Sequence, residues 1–188
     1  MARRVLRRGL LLLSIPALIL ILLIAAGVTD PKPIGVVQWQ TTPGARTIPA
    51  QEQVIEWLDA PAPGASFTVQ ATAVFQQGAT DARYGLRLAD ADQTVDVLVS
   101  PSGYVAIRAG DQDLFPYQLW PHARAGVNEI WIDVQQTAVT QTAVTVRLNR
   151  EWLWSGTIET VPTRLGLIGE GFAEMAVVVW EKVSISKP

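Results

Sequence analysis

The sequence predicts an all-β domain, a two-sheet antiparallel β-sandwich, preceded by one N-terminal transmembrane helix. Two observations carry the prediction. Arg3, Arg4, Arg7 and Arg8 precede an uncharged apolar stretch at 9–28. Beyond it, apolar residues recur at every second position in runs of five to eight, with turn residues between them, which is the pattern of half-buried strands.

The apolar stretch comes first. Twenty helical residues span about 30 Å, the thickness of a bilayer's hydrocarbon core. Four arginines on one flank, against Asp30-Pro31-Lys32 on the other, set the expected orientation: residues 1–8 in the cytoplasm, everything after Asp30 outside. The expected location is therefore the cell membrane, single-pass, with an extracytoplasmic domain. A cleaved secretory signal is the competing reading, with Ala25-Ala26-Gly27 as its small-residue site. The stretch is longer than the usual 7–15-residue signal core, which favours an uncleaved signal anchor. Pro16 is tolerated in such a helix, because neighbours can satisfy the freed carbonyl.

Residues 29–33 read as a linker held extended by Pro31 and Pro33. Residues 34–188 form the domain. Its strands are expected at 34–40, 53–59, 66–76, 83–89, 95–99, 104–108, 130–134, 144–148, 164–168 and 173–185. Turns at Pro61-Ala62-Pro63-Gly64, Gln77-Gly78, Pro101-Ser102-Gly103, Ala109-Gly110-Asp111 and Gly169-Glu170-Gly171 separate them. The doubled Gln-Thr-Ala-Val-Thr around 136–145 reads as a hairpin extension rather than a domain repeat.

Composition excludes several function classes. Four of the 15 basic residues precede the apolar stretch and all 17 acidic residues follow it, leaving the outer part 11 against 17, a balance of −6. That sign argues against a nucleic-acid partner. Zero cysteines remove disulfides, thiolate nucleophiles and zinc–cysteine sites. The single histidine, His122, lies in Trp120-Pro121-His122-Ala123-Arg124 and reads as a loop residue. No cofactor is expected. The alternating aspartates Asp90/Asp92 and Asp111/Asp113 have the oxygen chemistry for calcium but not the full spacing of a calcium loop.

From Tyr84 onward, the order of short motifs resembles the concanavalin A-like lectin/glucanase superfamily, in particular laminin-G-like and 3-keto-disaccharide-hydrolase-like jelly rolls. The motifs are Tyr84-Gly85-Leu86-Arg87-Leu88, Val99-Ser100-Pro101-Ser102-Gly103-Tyr104, Trp120 and Gly126-Val127-Asn128-Glu129-Ile130. Val144-Thr145-Val146-Arg147-Leu148-Asn149, Leu165-Gly166-Leu167 and a closing strand through Trp180 complete them. Two positions depart from the pattern: Arg150 stands where a glycine often follows the hairpin asparagine, and Trp180-Glu181 replaces an aromatic–aspartate pair. The resemblance implies two stacked antiparallel sheets, one concave, with the first and last strands adjacent.

The glucanases of this superfamily place acidic residues at alternate positions of one strand. Here Glu129 and Asp133 share a face with Trp131 between them. Four residues of strand put their backbones about 13–14 Å apart, beyond the roughly 5–9.5 Å between glycosidase carboxyls. Strand parity, with Ile130 and Ile132 inward, turns Trp131 out, and the same reasoning exposes Arg87, Tyr104 and Arg147. An aromatic face rimmed by hydrogen-bonding groups suits a sugar, so these four are the expected ligand-binding residues. The function read from sequence is a membrane-tethered, non-catalytic module binding a glycan or an envelope protein. The alternatives are a glycoside-acting enzyme of the same fold and a structural subunit of a membrane complex, since one fold hosts many functions.

Overall fold

The computed structural model describes residues 16–22, 31–33, 35–139, 141–159 and 161–188. The chain divides into two units, Met1–Lys32 and Pro33–Pro188. In the first, residues 16–22 are helical, and Leu18–Leu22 are exposed. The rest of the expected membrane span lies outside the described residues. Among the described residues, no helix is long and apolar enough to cross a membrane.

The second unit is all-β. Its strands are β1 (Val36–Thr41), β2 (Gly44–Ile48), β3 (Gln53–Trp57), β4 (Ser66–Gly78), β5 (Arg83–Ala89), β6 (Thr94–Val99) and β7 (Tyr104–Ala109). They continue as β8 (Gln112–Leu119), β9 (Val127–Gln136), β10 (Thr142–Leu148), β11 (Glu151–Ile158), β12 (Arg164–Glu170) and β13 (Ala176–Lys187). A seven-stranded sheet runs β1-β13-β4-β9-β10-β11, with β2 also paired to β13, and a six-stranded sheet runs β3-β12-β5-β6-β7-β8. All pairings are antiparallel, and β1 lies beside β13.

Alternation builds the core. In the seven-stranded sheet, Ile185, Val69, Ile132 and Val146 are successive register partners, all fully buried. From the other sheet, Leu165, Leu86, Leu88, Val95, Val97, Val105 and Ile107 face them. Each fully buried side chain of this kind contributes about 1.5–3 kcal/mol. Tyr84 and Trp180 meet edge to face inside the core, with ring centroids 6.3 Å apart.

A polar knot closes one end. Asn128 is fully buried. Its Nδ2 donates to Tyr84 Oη at 2.9 Å and to the Arg124 carbonyl at 2.7 Å. Its Oδ1 accepts from the Arg124 backbone N–H and from Asn149 Nδ2, both at 2.9 Å. Asn149 also donates to the His122 carbonyl at 2.6 Å and accepts from the Glu129 N–H at 2.9 Å. The loop carrying Trp120 and His122 is thereby tied to the β10–β11 hairpin. That hairpin turns through Asn149 and Arg150 at φ 53° and 74°, the double positive φ of a type I′ turn. Burial pushes the Tyr84 hydroxyl up to about 12, against the opposing Asn128 hydrogen bond.

The expected hairpin extension is present: Thr137 N–H donates to the Gln141 carbonyl at 2.9 Å between β9 and β10. The expected strands at 34–40 and 53–59 shift to β1 and β3. Three strands were not expected: β2, β8 and β11. All three lie at sheet margins, where one ladder edge has no partner and strict alternation is not enforced.

Candidate functional site

The face of the six-stranded sheet turned away from the core carries three cross-strand rows. Trp57, Gly166, Arg87, Asp96, Arg108 and Asp113 are successive register partners. Ile55, Ile168, Gly85, Leu98 and Ala106 form the next row. The third holds Gln53, Glu170 and Arg83, and beyond them Tyr104 opposite Leu119.

Side-chain pairing shows the shape of this face. Arg108 hydrogen-bonds Glu170, although the two lie three strands and four residues of register apart. With strands about 4.8 Å apart and a rise of about 3.3 Å per residue, a flat sheet would separate their backbones by roughly 19 Å. The two side chains cannot span that. They meet because the twisted sheet curls into a concave face. Arg83 on β5 likewise reaches β8, its guanidinium carbon 4.0 Å from the Tyr117 ring centroid. Gly85, at mid-sheet, has no room for a side chain: a Cβ would come within 1.7 Å of the Val97 carbonyl oxygen.

The concavity is filled by an ion-pair ridge over an apolar floor. Leu98, Ala106 and Ile168 form a small cluster separate from the main core, each no more than 2% exposed. Above them Arg87 grips Asp96 with two bonds of 2.6 and 2.7 Å, the bidentate geometry that makes such pairs strong. Arg108 contacts both Asp96 and Glu170, and Arg83 reaches Glu170 at 3.3 Å. Gln53 Nε2 donates to Glu170 Oε1 at 3.1 Å. Burial works against the charge on Arg108, but the hydrogen bond and charge of Glu170, with Asp96 behind it, raise its pKa above the ordinary arginine value. Among the described residues, the Nε atoms of Arg83 and Arg108 are buried without a hydrogen-bond partner.

At one end of the ridge lies an open cleft of about 610 Å³, lined by Gln53, Arg83, Arg108, Glu170 and Phe172, with Glu52 at its side. Its rim is aromatic. Phe172 lies 4.7 Å from the Arg83 guanidinium carbon. Tyr104 and Tyr117 stack at 4.9 Å. All three rings are more than a third exposed. The cleft lies at the end of the sandwich opposite the start of β1: β1 begins beside Lys187 at the end of β13, whereas Arg83 and Glu170 follow from the far end of β4 and the start of β5.

The structure divides the four residues expected from sequence. Arg87 and Tyr104 lie on this concave face, Arg87 locked to Asp96 and Tyr104 at the rim. Trp131 and Arg147 lie on the outer face of the other sheet, as register partners. The parity of Trp131 is as expected, since Ile130 and Ile132 take the core and Trp131 is not part of it. Its exposure is not: Trp131 is only 3% exposed, because neighbours on both flanking strands, Gln70 and Arg147, stand beside it in the sheet. Glu129 and Asp133 flank it along the strand, and both are already engaged: Glu129 with Gln70 and Arg150, Asp133 with Thr68 at 2.7 Å and Arg147 at 3.9 Å. The Asp90 carboxylate caps its own turn, accepting from the N–H groups of Asp92 and Gln93. Among the described residues, no group of three or more acidic, histidine or cysteine side chains is placed to hold a metal.

No protein-family model and no curated protein matches the chain. Solved structures do match. A fructosyltransferase from A. japonicus superposes with a TM-score of 0.57 at 14% identity, over 80% of this chain and 26% of that one. The metal-free Emp46p carbohydrate recognition domain gives 0.52 at 11% identity, over 79% and 87%. The Caenorhabditis elegans galectin LEC-6 gives 0.50 at 11% identity, over 79% and 96%. The fold shared with these structures is the two-sheet antiparallel β-sandwich. This chain spans only about a quarter (26%) of the fructosyltransferase, and at these identities the likeness establishes the fold.

Sequence reasoning missed Arg83, Arg108, Glu170, Tyr117 and Phe172 as one cluster. Glu170 and Phe172 sit at the end of β12 and in the turn after it, and Tyr117 on an edge strand. Nothing in the local pattern reports that a curled sheet brings residues three strands apart into contact.

Proposed function

We propose that the domain is a membrane-tethered, non-catalytic module that binds a glycan in the concave cleft. The observation that carries this reading is the meeting of a partly exposed ring, Phe172, with fixed donors and acceptors, Gln53, Arg83 and Glu170, in one open cleft, with the Tyr104–Tyr117 stack beside Arg83. Sugar C–H faces stack on rings, and hydroxyls both donate to carboxylates and accept from arginine and amide N–H groups. Two of the similar structures, a galectin and a carbohydrate recognition domain, make the fold a reasonable host for such a role. Glu170 already accepts from Gln53, Arg83 and Arg108, and Asp96 from Arg87. Both carboxylates are thus held in place by the donors around them.

The tether rests on the sequence: the arginine-flanked apolar stretch at 9–28 is read as a single-pass anchor with its N-terminus in the cytoplasm. The chain enters the β domain at the start of β1, and the cleft lies at the other end of that domain. Intact mass of the membrane-extracted protein tests the anchor, and a mature species starting near Val28 would replace it with a cleaved signal. A glycan array probed with the full chain tests the binding. Phe172→Ala should weaken any hit by an order of magnitude or more, as truncated aromatic anchors commonly do, and Tyr117→Ala should weaken it by loosening the hold on Arg83.

A further inference from the structure

We infer that the cleft receives the end of a glycan chain and not its interior. This rests on the glycan-binding reading and follows from where the concave face is blocked. Binding along the interior of a polysaccharide needs a groove open at both ends. Here the Arg108–Glu170 bridge crosses the concavity from β7 to β12, and the Arg87–Asp96 pair fills the space behind it, with those two side chains 12% and 4% exposed. The apolar floor beneath is sealed, Leu98 being fully buried. A sugar entering from the open end therefore meets a wall of guanidinium and carboxylate groups.

The side wall is also fixed. The turn carrying Phe172 is pinned to the segment before β3, with Gln51 N–H donating to the Phe172 carbonyl at 3.0 Å and Gly171 N–H to the Glu52 carbonyl at 2.8 Å. Gln51, Glu52 and Phe172 thus hold one flank, while Arg83 is clamped between the Tyr117 and Phe172 rings. A cleft shut at its inner end and held on its flank presents hydrogen-bonding groups to a terminal residue from several sides. The rest of the chain must leave through the open rim, past Phe172 and the outer edge of the Tyr104–Tyr117 stack. The substrate class is a chain terminus of one or two residues.

The test uses the detergent-solubilised full chain on an array of linear oligosaccharides two to eight residues long. They are printed in pairs that share a terminal residue and differ inside, or the reverse. Binding should sort by terminal residue and change less than about threefold with length. The free methyl glycoside of the preferred terminal residue should compete completely. Arg108→Gln removes the charged bridge, and binding should then strengthen at least several-fold with length. The wild-type competition stands as the independent readout if that variant folds poorly. Binding that sorts by interior linkage, or rises steadily with length in the wild type, overturns the inference and leaves glycan binding in place. Absence of binding to every oligosaccharide overturns both.

Discussion

Replacing Asn128 with alanine should cost about 3 kcal/mol of stability, and most of that cost should depend on Tyr84. Asn128 makes four hydrogen bonds while fully buried. Two of the partners, the Arg124 N–H and carbonyl, sit in a surface loop and can turn to water. Asn149 keeps the His122 carbonyl and the Glu129 N–H. Tyr84 Oη has no such recourse: its residue is 1% exposed and packed against Trp180. A buried hydroxyl left without a partner costs about 1–3 kcal/mol, and each ordinary bond lost adds about 1 kcal/mol net. In a Tyr84→Phe background the stranded hydroxyl is gone, so Asn128→Ala should cost about 1–2 kcal/mol less. Urea denaturation of the four members of this double-mutant cycle measures that coupling. A loss below about 1 kcal/mol for Asn128→Ala, or no coupling to Tyr84, would refute the polar knot as an anchor of the loop carrying Trp120.

Three further outcomes follow from the same structure. The Tyr84 hydroxyl titrates near 12 in the folded protein and near 10 when unfolded, so the unfolded chain gives up its proton first and stability falls as pH rises from about 10 to 12. The total loss is about 2–3 kcal/mol, and Tyr84→Phe should remove that part of the slope in denaturation curves collected across this range. Trp131→Ala should destabilise by about 3 kcal/mol, because the ring is buried by its own sheet face although it points away from the core; a change within about 0.5 kcal/mol, as for ordinary surface sites, would return it to the exposed position that alternation alone assigns. Residues 33–188 should fold by themselves into an all-β monomer that a chelator does not unfold, as far-ultraviolet circular dichroism would show.

The central strands were legible because burial on one face writes itself into the sequence. Val95, Val97 and Val99, or Val144 and Val146, have only one inward register. Margins are different. β8, with Pro116 and mostly exposed side chains, and β11, with its register shift between Val146 and Arg147, bury too little for a period-two signal. The site was legible only in part for a related reason. Parity says which face a side chain leaves from, so Arg87 and Tyr104 were assigned correctly to an outer face. It does not say which of two outer faces that is, and it does not measure curvature. Trp131 shows the other limit: long neighbours in the same sheet can cover an outward ring, so outward is not the same as exposed.

The most direct test of the concave cleft as the binding site is a chemical-shift titration of isotope-labelled 33–188 with the glycan selected on the array. The largest changes should map to Gln53, Arg83, Glu170, Phe172 and Tyr117, with the Arg83 side-chain Nε–H signal moving as it gains an acceptor. Changes centred instead on Trp131, Arg147 and Trp152, on the outer face of the seven-stranded sheet, would contradict the cleft and place the ligand on the opposite side of the molecule.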